Sequence, residues 1–161
     1  MASGLRPLLF RVWRVLPWQV RVFLVRRMTP SYWVGAMCFV ERSDGAVLLV
    51  RQSYRKSWAL PGGLLKRNED AIDAAVRELR EEVGLAVELE DNARVVVDAR
   101  RRRVDVIYRT QFIGDDEPSP RSAEIVEARW FPPDALPNVQ RETAAALVAL
   151  GRANRPASSR S

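Results

Sequence analysis

The stretch from Gly63 to Leu85, GLLKRNEDAIDAAVRELREEVGL, constrains this chain more than any other part of it. Its apolar residues recur at helical spacing, which predicts a helix from about Asp70 to Val83. In that helix Glu78, Glu81 and Glu82 stand at positions i, i+3 and i+4 and share one face. Because like charges so close together repel, the pattern favours a site where a divalent cation neutralises them. Mg²⁺ in proteins usually shares its ligand shell with substrate phosphates, so the pattern points to phosphate chemistry.

The same stretch resembles the signature of the Nudix hydrolase family, G-x5-E-x7-R-E-U-x-E-E-x-G-U, in which U is a bulky apolar residue. All fixed positions of the signature are present: Gly63, Glu69, Arg77, Glu78, Leu79, Glu81, Glu82, Gly84 and Leu85. An acidic surface helix with i,i+4 ion pairs is the alternative explanation, but it does not require the complete match. The resemblance covers roughly residues 33–150 and implies an α+β fold, an α/β/α sandwich with a mixed central sheet. It also implies metal-dependent hydrolysis of a pyrophosphate bond, with Mg²⁺ or Mn²⁺ as cofactor.

The resemblance also implies a metal site. Glu78, Glu81 and Glu82 are the expected metal ligands and catalytic carboxylates, and the backbone carbonyl of Gly62 is expected to complete the metal shell. Gly63 is expected to let the backbone pass close to the substrate phosphates.

Two further roles follow from the resemblance. Glu69 and Arg77 are expected to fasten the loop to the helix and so to orient the carboxylates. The general base is either Glu78 or a carboxylate outside the signature, for which the candidate is Glu124 in the segment SAEIVEARWF. Glu124 is equally interpretable as a solvated loop residue, and two other acidic residues compete for the role, Glu127 and Asp116.

Several residues before the signature are candidates for binding substrate. Arg51 ends a predicted strand and is expected either to reach the phosphates or to be a surface arginine. Arg55 and Lys56 lie in a basic loop that faces the signature. Trp58 either stacks on a base or packs in the core.

Composition removes several chemistries. The chain has no histidine, which excludes histidine acid–base catalysis, His-ligated zinc and a Ser-His-Asp triad. Its one cysteine, Cys38, excludes an intrachain disulfide and lies in an apolar run, which favours a buried side chain over a reactive thiol.

The basic residues are concentrated at the two ends of the chain. The formal net charge is +6, yet residues 1–33 contain six arginines and no acidic residue, and residues 34–150 contain more acidic than basic residues. Nucleic-acid binding by the central part is therefore not expected. The sequence predicts a basic amphipathic helical extension over 1–32, a hydrolase domain over 33–150 and a disordered tail over 151–161.

The N-terminal extension is apolar but interrupted by arginines and by Pro17. One helix is predicted over positions 8–16 and a second between Pro17 and Pro30. No stretch reaches the ~18 uninterrupted apolar residues of a spanning helix, and a signal peptide is not expected. Three interpretations of residues 5–28 stay open: packing against the domain or a second copy as a homodimer, contact with an anionic membrane surface, or no folded role. A cytoplasmic location is expected, with peripheral attachment at the inner face of the membrane as the variant.

The remaining pattern alternates short strands with helices. Strands are predicted at Trp33–Glu41, Ala46–Gln52, Leu85–Leu89, Arg94–Ala99, Val104–Ile113 and Ile125–Phe131, and a last helix at about Val139–Leu150. Ile72, Val76, Leu79 and Val83 are the predicted core stripe of the helix that carries the signature.

The signature indicates a reaction and leaves the substrate open. The window about 15 residues downstream of it, Ala99–Arg103, contains neither the proline nor the tyrosine that marks some Nudix subfamilies. The sequence therefore favours a MutT-like enzyme acting on a nucleoside triphosphate or a nucleotide sugar. The alternatives are ADP-ribose or a lipid-linked diphosphate as substrate, and a nucleotide-sensing module without turnover.

Overall fold

A computed structural model describes residue 11, residues 13–114 and residues 116–152 of the chain. The chain divides between Tyr32 and Trp33 into two compact units.

The first unit contains the helix α1, Trp18–Met28. It begins directly after Pro17 and ends where the Thr29 N–H donates to the Val25 carbonyl at 2.9 Å. Arg26 and Arg27 occupy its last turn, where positive charge interacts favourably with the helix dipole. Of the helix predicted over positions 8–16, residues 11 and 13–15 are helical, and residues 8–10 and 12 lie outside the described residues. Within the described part of the chain, no helix is both long enough and apolar enough to cross a membrane.

The second unit is built on a six-stranded mixed sheet. Its strands are β1 Trp33–Arg42, β2 Val47–Gln52, β3 Gly62–Leu64, β4 Ala93–Asp98, β5 Arg103–Phe112 and β6 Ile125–Phe131. The order across the sheet is β4-β5-β1-β2-β6, with β3 also paired to β1. Only β1 and β5 are parallel, and the other pairs are antiparallel.

A short segment, Ala59–Leu64, lies between β1 and β2 where these two strands separate. Ala59 exchanges backbone hydrogen bonds with Val50 of β2, and Cys38 of β1 donates to the Pro61 carbonyl at 2.9 Å. β3 then pairs with residues 35–37 of β1. The segment therefore holds Gly62 and Gly63 inside the sheet rather than in a free loop.

Two helices cover opposite faces of the sheet, α2 at Ala71–Val83 and α3 at Arg141–Ala149. Side chains alternate along β1, which is buried from Ala36 to Glu41. Those of Ala36, Cys38 and Val40 pack with α2, and those of Met37 and Phe39 pack with α3. The predicted α/β/α sandwich with a mixed sheet is confirmed.

Helix α2 ends as its sequence predicts, and its buried face is slightly different. Gly84 adopts φ 76° and donates to the Arg80 carbonyl, a left-handed end that glycine accepts without a Cβ clash. Leu79 and Val83 of the predicted stripe are buried, whereas Ile72 and Val76 are half-buried. The remaining buried side chains of the helix are Ala74, Ala75 and Glu82.

One predicted strand is absent from the structure, and one observed strand was not predicted. Residues Leu85–Leu89 form no strand, although Leu85 is buried and Val87 and Leu89 pack partly against the core. Their alternation, which predicts a strand, arises because an irregular segment runs along the core surface. The strand β3 was not predicted, since its Gly-Gly-Leu sequence lacks the β-branched and aromatic residues typical of strands.

Cys38 is buried and donates to the Ala75 carbonyl at 3.4 Å. Burial, followed by the nearby charge of Glu82, raises the pKa of its thiol to about 12. At neutral pH the thiol is therefore protonated, which confirms a packing residue rather than a reactive one.

We expect Gly62→Ala to destabilise the domain far more than Gly151→Ala. Both glycines have positive φ, 154° and 73°, so both substitutions carry a backbone penalty of about 1–2 kcal/mol. A Cβ at position 62 would also overlap the Ala36 carbonyl and lie 2.8 Å from Met37 Cα, whereas a Cβ at position 151 would contact nothing. Urea unfolding followed by tryptophan fluorescence measures the difference, and equal losses of stability would contradict the close packing of Gly62 between the strands.

Candidate active site

An ion pair fastens the loop before α2 to the helix. Arg77 donates from Nε to Glu69 Oε1 at 2.6 Å and from its terminal nitrogen Nη2 to Glu69 Oε2 at 2.9 Å. Glu69 Oε2 also accepts from the Lys66 N–H at 2.7 Å. The Arg77 bonds, and then the Lys66 N–H, hold the pKa of Glu69 down at about 2. The pair stays charged at neutral pH, consistent with the predicted role in orienting the helix carboxylates.

The same arginine contacts two of the three helix carboxylates. Its Nη1 donates to Glu78 Oε1 at 2.7 Å and to Glu81 Oε2 at 3.2 Å. Glu81 is about half exposed and also lies 3.6 Å from Lys66 Nζ. Arg77 thus offsets part of the repulsion that the sequence builds into this face.

Glu82 is the buried member of the cluster, with 6% of its surface exposed. Its Oε2 accepts from the Gly62 N–H at 3.0 Å, which joins α2 to β3. Burial raises the pKa of Glu82 to about 8; the Gly62 N–H opposes that shift, and the charges of Glu78, Glu124 and Glu81 add to it. A carboxylate in this environment is energetically costly unless a cation is close.

Gly63 and Glu78 are in direct proximity. A Cβ at position 63 would overlap the Glu78 carboxylate, so only glycine leaves room for that side chain. The close approach agrees with the expectation that the backbone at Gly63 borders the site.

These residues border a cavity of about 410 Å³, within the size range of small-molecule sites. Six predicted site residues line it: Arg55, Gly62, Gly63, Glu78, Glu82 and Glu124. The structure therefore brings together the signature loop, two of the helix carboxylates and the candidate base from outside the signature.

Glu124 reaches the cavity because its loop is tied to two neighbouring elements. The Arg121 N–H donates to the Glu82 carbonyl at 2.9 Å, which holds the loop against the C-terminal end of α2. The Ser53 N–H donates to the Glu124 carbonyl at 2.8 Å, which holds it at the end of β2.

The competing acidic residues are placed elsewhere. Glu127 forms an ion pair with Arg51, which lowers the pKa of its carboxyl, and Asp116 does not line the cavity.

Two predicted substrate-binding residues are not brought to the cavity. Arg51 is opposite Glu127 in the β2–β6 pairing and forms an ion pair with it instead of facing phosphates. Trp58 packs edge-on against Phe131, with ring centroids 4.7 Å apart, in the core beneath α3. Arg51 is therefore placed in a half-buried ion pair, and Trp58 is placed as a packing residue. Lys56 also lies outside the cavity lining.

Arg103 was missed in the sequence, yet it lines the cavity. Its Nε lies 2.8 and 2.9 Å from the two oxygens of Asp105, and Nη2 lies 2.8 Å from Oδ1. The side chain of Asp105 is only 7% exposed, so it holds the guanidinium in one orientation. In the sequence, the Arg-x-Asp spacing indicates this ion pair, because residues two apart in a strand lie on the same face. The spacing begins at the end of the run Arg100–Arg103, which as sequence is either a phosphate-binding patch or, as four arginines at a hairpin tip more often are, a solvated turn.

The side chains suit a hard divalent cation. Every candidate donor is an oxygen, from Glu78, Glu81, Glu82 and the Gly62 carbonyl, which is the set that Mg²⁺ or Mn²⁺ prefers. The buried, negatively surrounded Glu82 is the observation that fits such an ion best. Among residues 13–114 and 116–152, no three acidic side chains already converge as a ligand set, and two of the candidates are held by Arg77.

Comparisons with family models, protein sequences and solved structures point to the same family. The NUDIX domain model matches residues 31–150. A MutT-like protein of Streptomyces ambofaciens is 31% identical over 107 residues, which covers 66% of this chain and 68% of the relative. A NUDIX hydrolase from Nitrosomonas europaea superposes with a TM-score of 0.65 at 26% identity, over 74% of this chain and 69% of the other. An ADP-ribose pyrophosphatase from Streptococcus suis superposes with a TM-score of 0.59 at 27% identity, over 77% of this chain and 95% of the other.

The family model, the relatives and the geometry of the signature loop and helix agree, and the chain belongs to the NUDIX family as a pyrophosphohydrolase.

Proposed function

We propose that the enzyme uses Mg²⁺ or Mn²⁺ to cleave the pyrophosphate bond of a nucleoside triphosphate or a nucleotide sugar. The observation that carries the proposal is the buried Glu82, hydrogen-bonded to Gly62 and surrounded by like charges, at the border of a cavity of about 410 Å³. A cavity of this size accommodates a nucleotide.

The metal would be held by the three helix glutamates and the Gly62 carbonyl. Bound there, a divalent cation supplies charge neutralisation on the phosphates and lowers the pKa of water. Arg77 contributes by keeping Glu78 and Glu81 next to each other, and Glu69 contributes by holding Arg77.

Glu124 is the proposed general base that accepts the proton of the attacking water. It lines the cavity together with Glu78 and Glu82, and its backbone is fixed at both ends of the loop. Within the described residues it forms no ion pair, whereas Glu78 is engaged by Arg77 and Glu127 by Arg51.

Arg103 is the proposed phosphate-binding arginine in place of Arg51. Asp105 occupies the Nε side of its guanidinium, so the opposite nitrogen, Nη1, remains for a substrate oxygen. Arg55 lines the same cavity and is the second candidate.

Hydrolysis of a substrate panel tests the proposed function. The panel holds nucleoside triphosphates, nucleotide sugars, ADP-ribose, dinucleoside polyphosphates and coenzyme A, each with and without Mg²⁺ or Mn²⁺. Coupled pyrophosphatase and phosphatase identify the bond that is cleaved. Metal-dependent turnover of a triphosphate or a nucleotide sugar well above the rest is expected. Preferred turnover of another class, or no metal-dependent turnover, would contradict the proposal.

We expect Glu82→Gln to abolish most hydrolysis while leaving the domain folded. The glutamine oxygen still accepts from the Gly62 N–H, but the charge that holds the cation is lost, so kcat/KM should fall at least about 100-fold. The exposed Glu90→Gln is the matched control. Retained activity in Glu82→Gln would remove this residue from the metal site.

The same variant should change how stability depends on pH. The pKa of Glu82 is higher in the folded domain, about 8, than the ordinary 4.5, so the folded state binds the proton more tightly. The free energy of unfolding of the metal-free enzyme should therefore fall as pH rises from 4.5 to about 8, and should fall less in Glu82→Gln. Denaturant titrations across this range in EDTA measure it, and identical profiles would show that Glu82 is not desolvated.

We expect Arg103→Lys to lower kcat/KM about tenfold to 100-fold, because one ammonium group cannot engage Asp105 and a phosphate as the planar guanidinium does. Arg100→Lys in the same hairpin, where the side chain is exposed, is the control. Steady-state kinetics on the best substrate of the panel measures both, and equal values would exclude Arg103 as a phosphate ligand.

A further inference from the structure

Two side-chain amides line the cavity and are hydrogen-bonded to each other. Gln52 ends β2, and Gln140 directly precedes α3. Gln140 Nε2 donates to Gln52 Oε1 at 3.1 Å and to the Ser57 carbonyl at 3.4 Å. The pair has no part in the metal site or the phosphate contacts described above.

Backbone pairing fixes the positions of both amides. Gln52 is paired with Ile125 in the sheet. The Trp58 N–H donates to the Asn138 carbonyl at 3.0 Å, and the Gln140 N–H donates to the Trp58 carbonyl at 2.7 Å. The Ser57 carbonyl therefore stands at a fixed place beside the Gln140 amide.

That carbonyl also settles the orientation of the amides, which hydrogen-bond geometry alone leaves interchangeable. A backbone carbonyl only accepts hydrogen bonds, so Gln140 must turn its NH₂ group toward Ser57. Its two N–H groups are then used by Ser57 and by Gln52 Oε1. Among the hydrogen bonds of the described residues, Gln140 Oε1 is left as an acceptor and the Gln52 NH₂ as a donor, on two side chains that both line the cavity.

A donor and an acceptor on two side chains that are hydrogen-bonded to each other suit the edge of a heterocyclic base. Each nucleobase has an edge on which a ring nitrogen or carbonyl acceptor stands next to an N–H donor. A phosphate group, which presents only acceptors, would be repelled by Gln140 Oε1. Tyr54 lines the same cavity with its ring largely exposed, which offers a surface for stacking.

We propose that the Gln52–Gln140 pair binds the nucleobase edge of the substrate and sets the preference of the enzyme among nucleobases. This inference rests on the proposed function, because it requires that the cavity takes a nucleotide.

Binding of non-hydrolysable ligands tests the inference separately from catalysis. The probes are methylene-bridged analogues of the four common nucleoside triphosphates, and ribose 5-triphosphate as the ligand that lacks a base, titrated with Ca²⁺ present. Gln52→Glu keeps an oxygen that accepts from Gln140 but replaces the donor by a negatively charged oxygen, and Gln52→Met removes the donor without adding charge. Gln111→Glu, an exposed position on β5, controls for the added charge.

We expect both Gln52 variants to weaken the best-bound nucleotide about tenfold or more relative to ribose 5-triphosphate, and to narrow the differences among the four bases. Gln111→Glu should leave these ratios unchanged. Equal weakening of all ligands, including the one without a base, would overturn the inference. The inference would also be overturned if both Gln52 variants kept the wild-type ratios of nucleotide affinity to ribose 5-triphosphate affinity.

The outcomes separate the inference from the function on which it rests. If the wild-type enzyme hydrolyses the substrate panel and the Gln52 variants keep the base preference, only the inference fails. If the wild-type enzyme binds none of the nucleotides more tightly than ribose 5-triphosphate, the base contributes nothing to binding. The inference then also fails, whatever the hydrolysis assay shows. The panel could show no metal-dependent turnover while the Gln52 variants still lose the preference among the four nucleotides. In that case the proposed hydrolysis fails and the binding inference holds.

Discussion

The hydrogen bond from the Gly62 N–H to Glu82 joins the two parts of the structure on which the site depends. Gly62 belongs to the segment between β1 and β2, and Glu82 lies on the helix that covers that face of the sheet. The segment fits only because β1 and β2 separate there. It also needs glycine at position 62, because a Cβ there would overlap the backbone of β1. The contact thereby fixes the height of α2 over the sheet, and with it the position of the other carboxylates.

The sequence was most informative where a local pattern determines the structure. The apolar periodicity predicted α2, the spacing of the carboxylates predicted its acidic face, and Gly84 predicted its end, because helical periodicity and glycine at a left-handed position depend on neighbouring residues only. The five longer strands were predicted to within a residue or two. The strand β3 was not, since Gly62 and Gly63 are held in the sheet by partners distant in the chain. Residues 85–89 show the reverse case, in which an alternating pattern exists without a partner strand.

The two arginines show the same limit at the site. The Arg-x-Asp spacing indicates a partner for Arg103 at a strand start, but no local pattern indicates which of Arg103 and Arg51, at a strand end, faces the cavity. Arg51 is neutralised by Glu127 because β2 and β6 pair in the register that sets these two residues opposite each other. Arg103 is held by Asp105, two residues along its own strand, and that pair is oriented by packing against β1. Which arginine faces the cavity is decided by strand register, which a single sequence leaves open.

The charges around the cavity favour a cation for substrate binding as well as for the proposed chemistry. Carboxylates outnumber guanidinium groups in the lining, and Arg55 and Arg103 are its basic members among the described residues. One side of Arg103 is already occupied by Asp105, and Arg77 is occupied by Glu69, Glu78 and Glu81. A polyphosphate entering such a cavity would meet net repulsion. A divalent cation held by Glu82 would reverse that balance and would also offset the cost of burying the Glu82 carboxylate, so under the proposed function metal binding, substrate affinity and folding stability would be linked through one side chain.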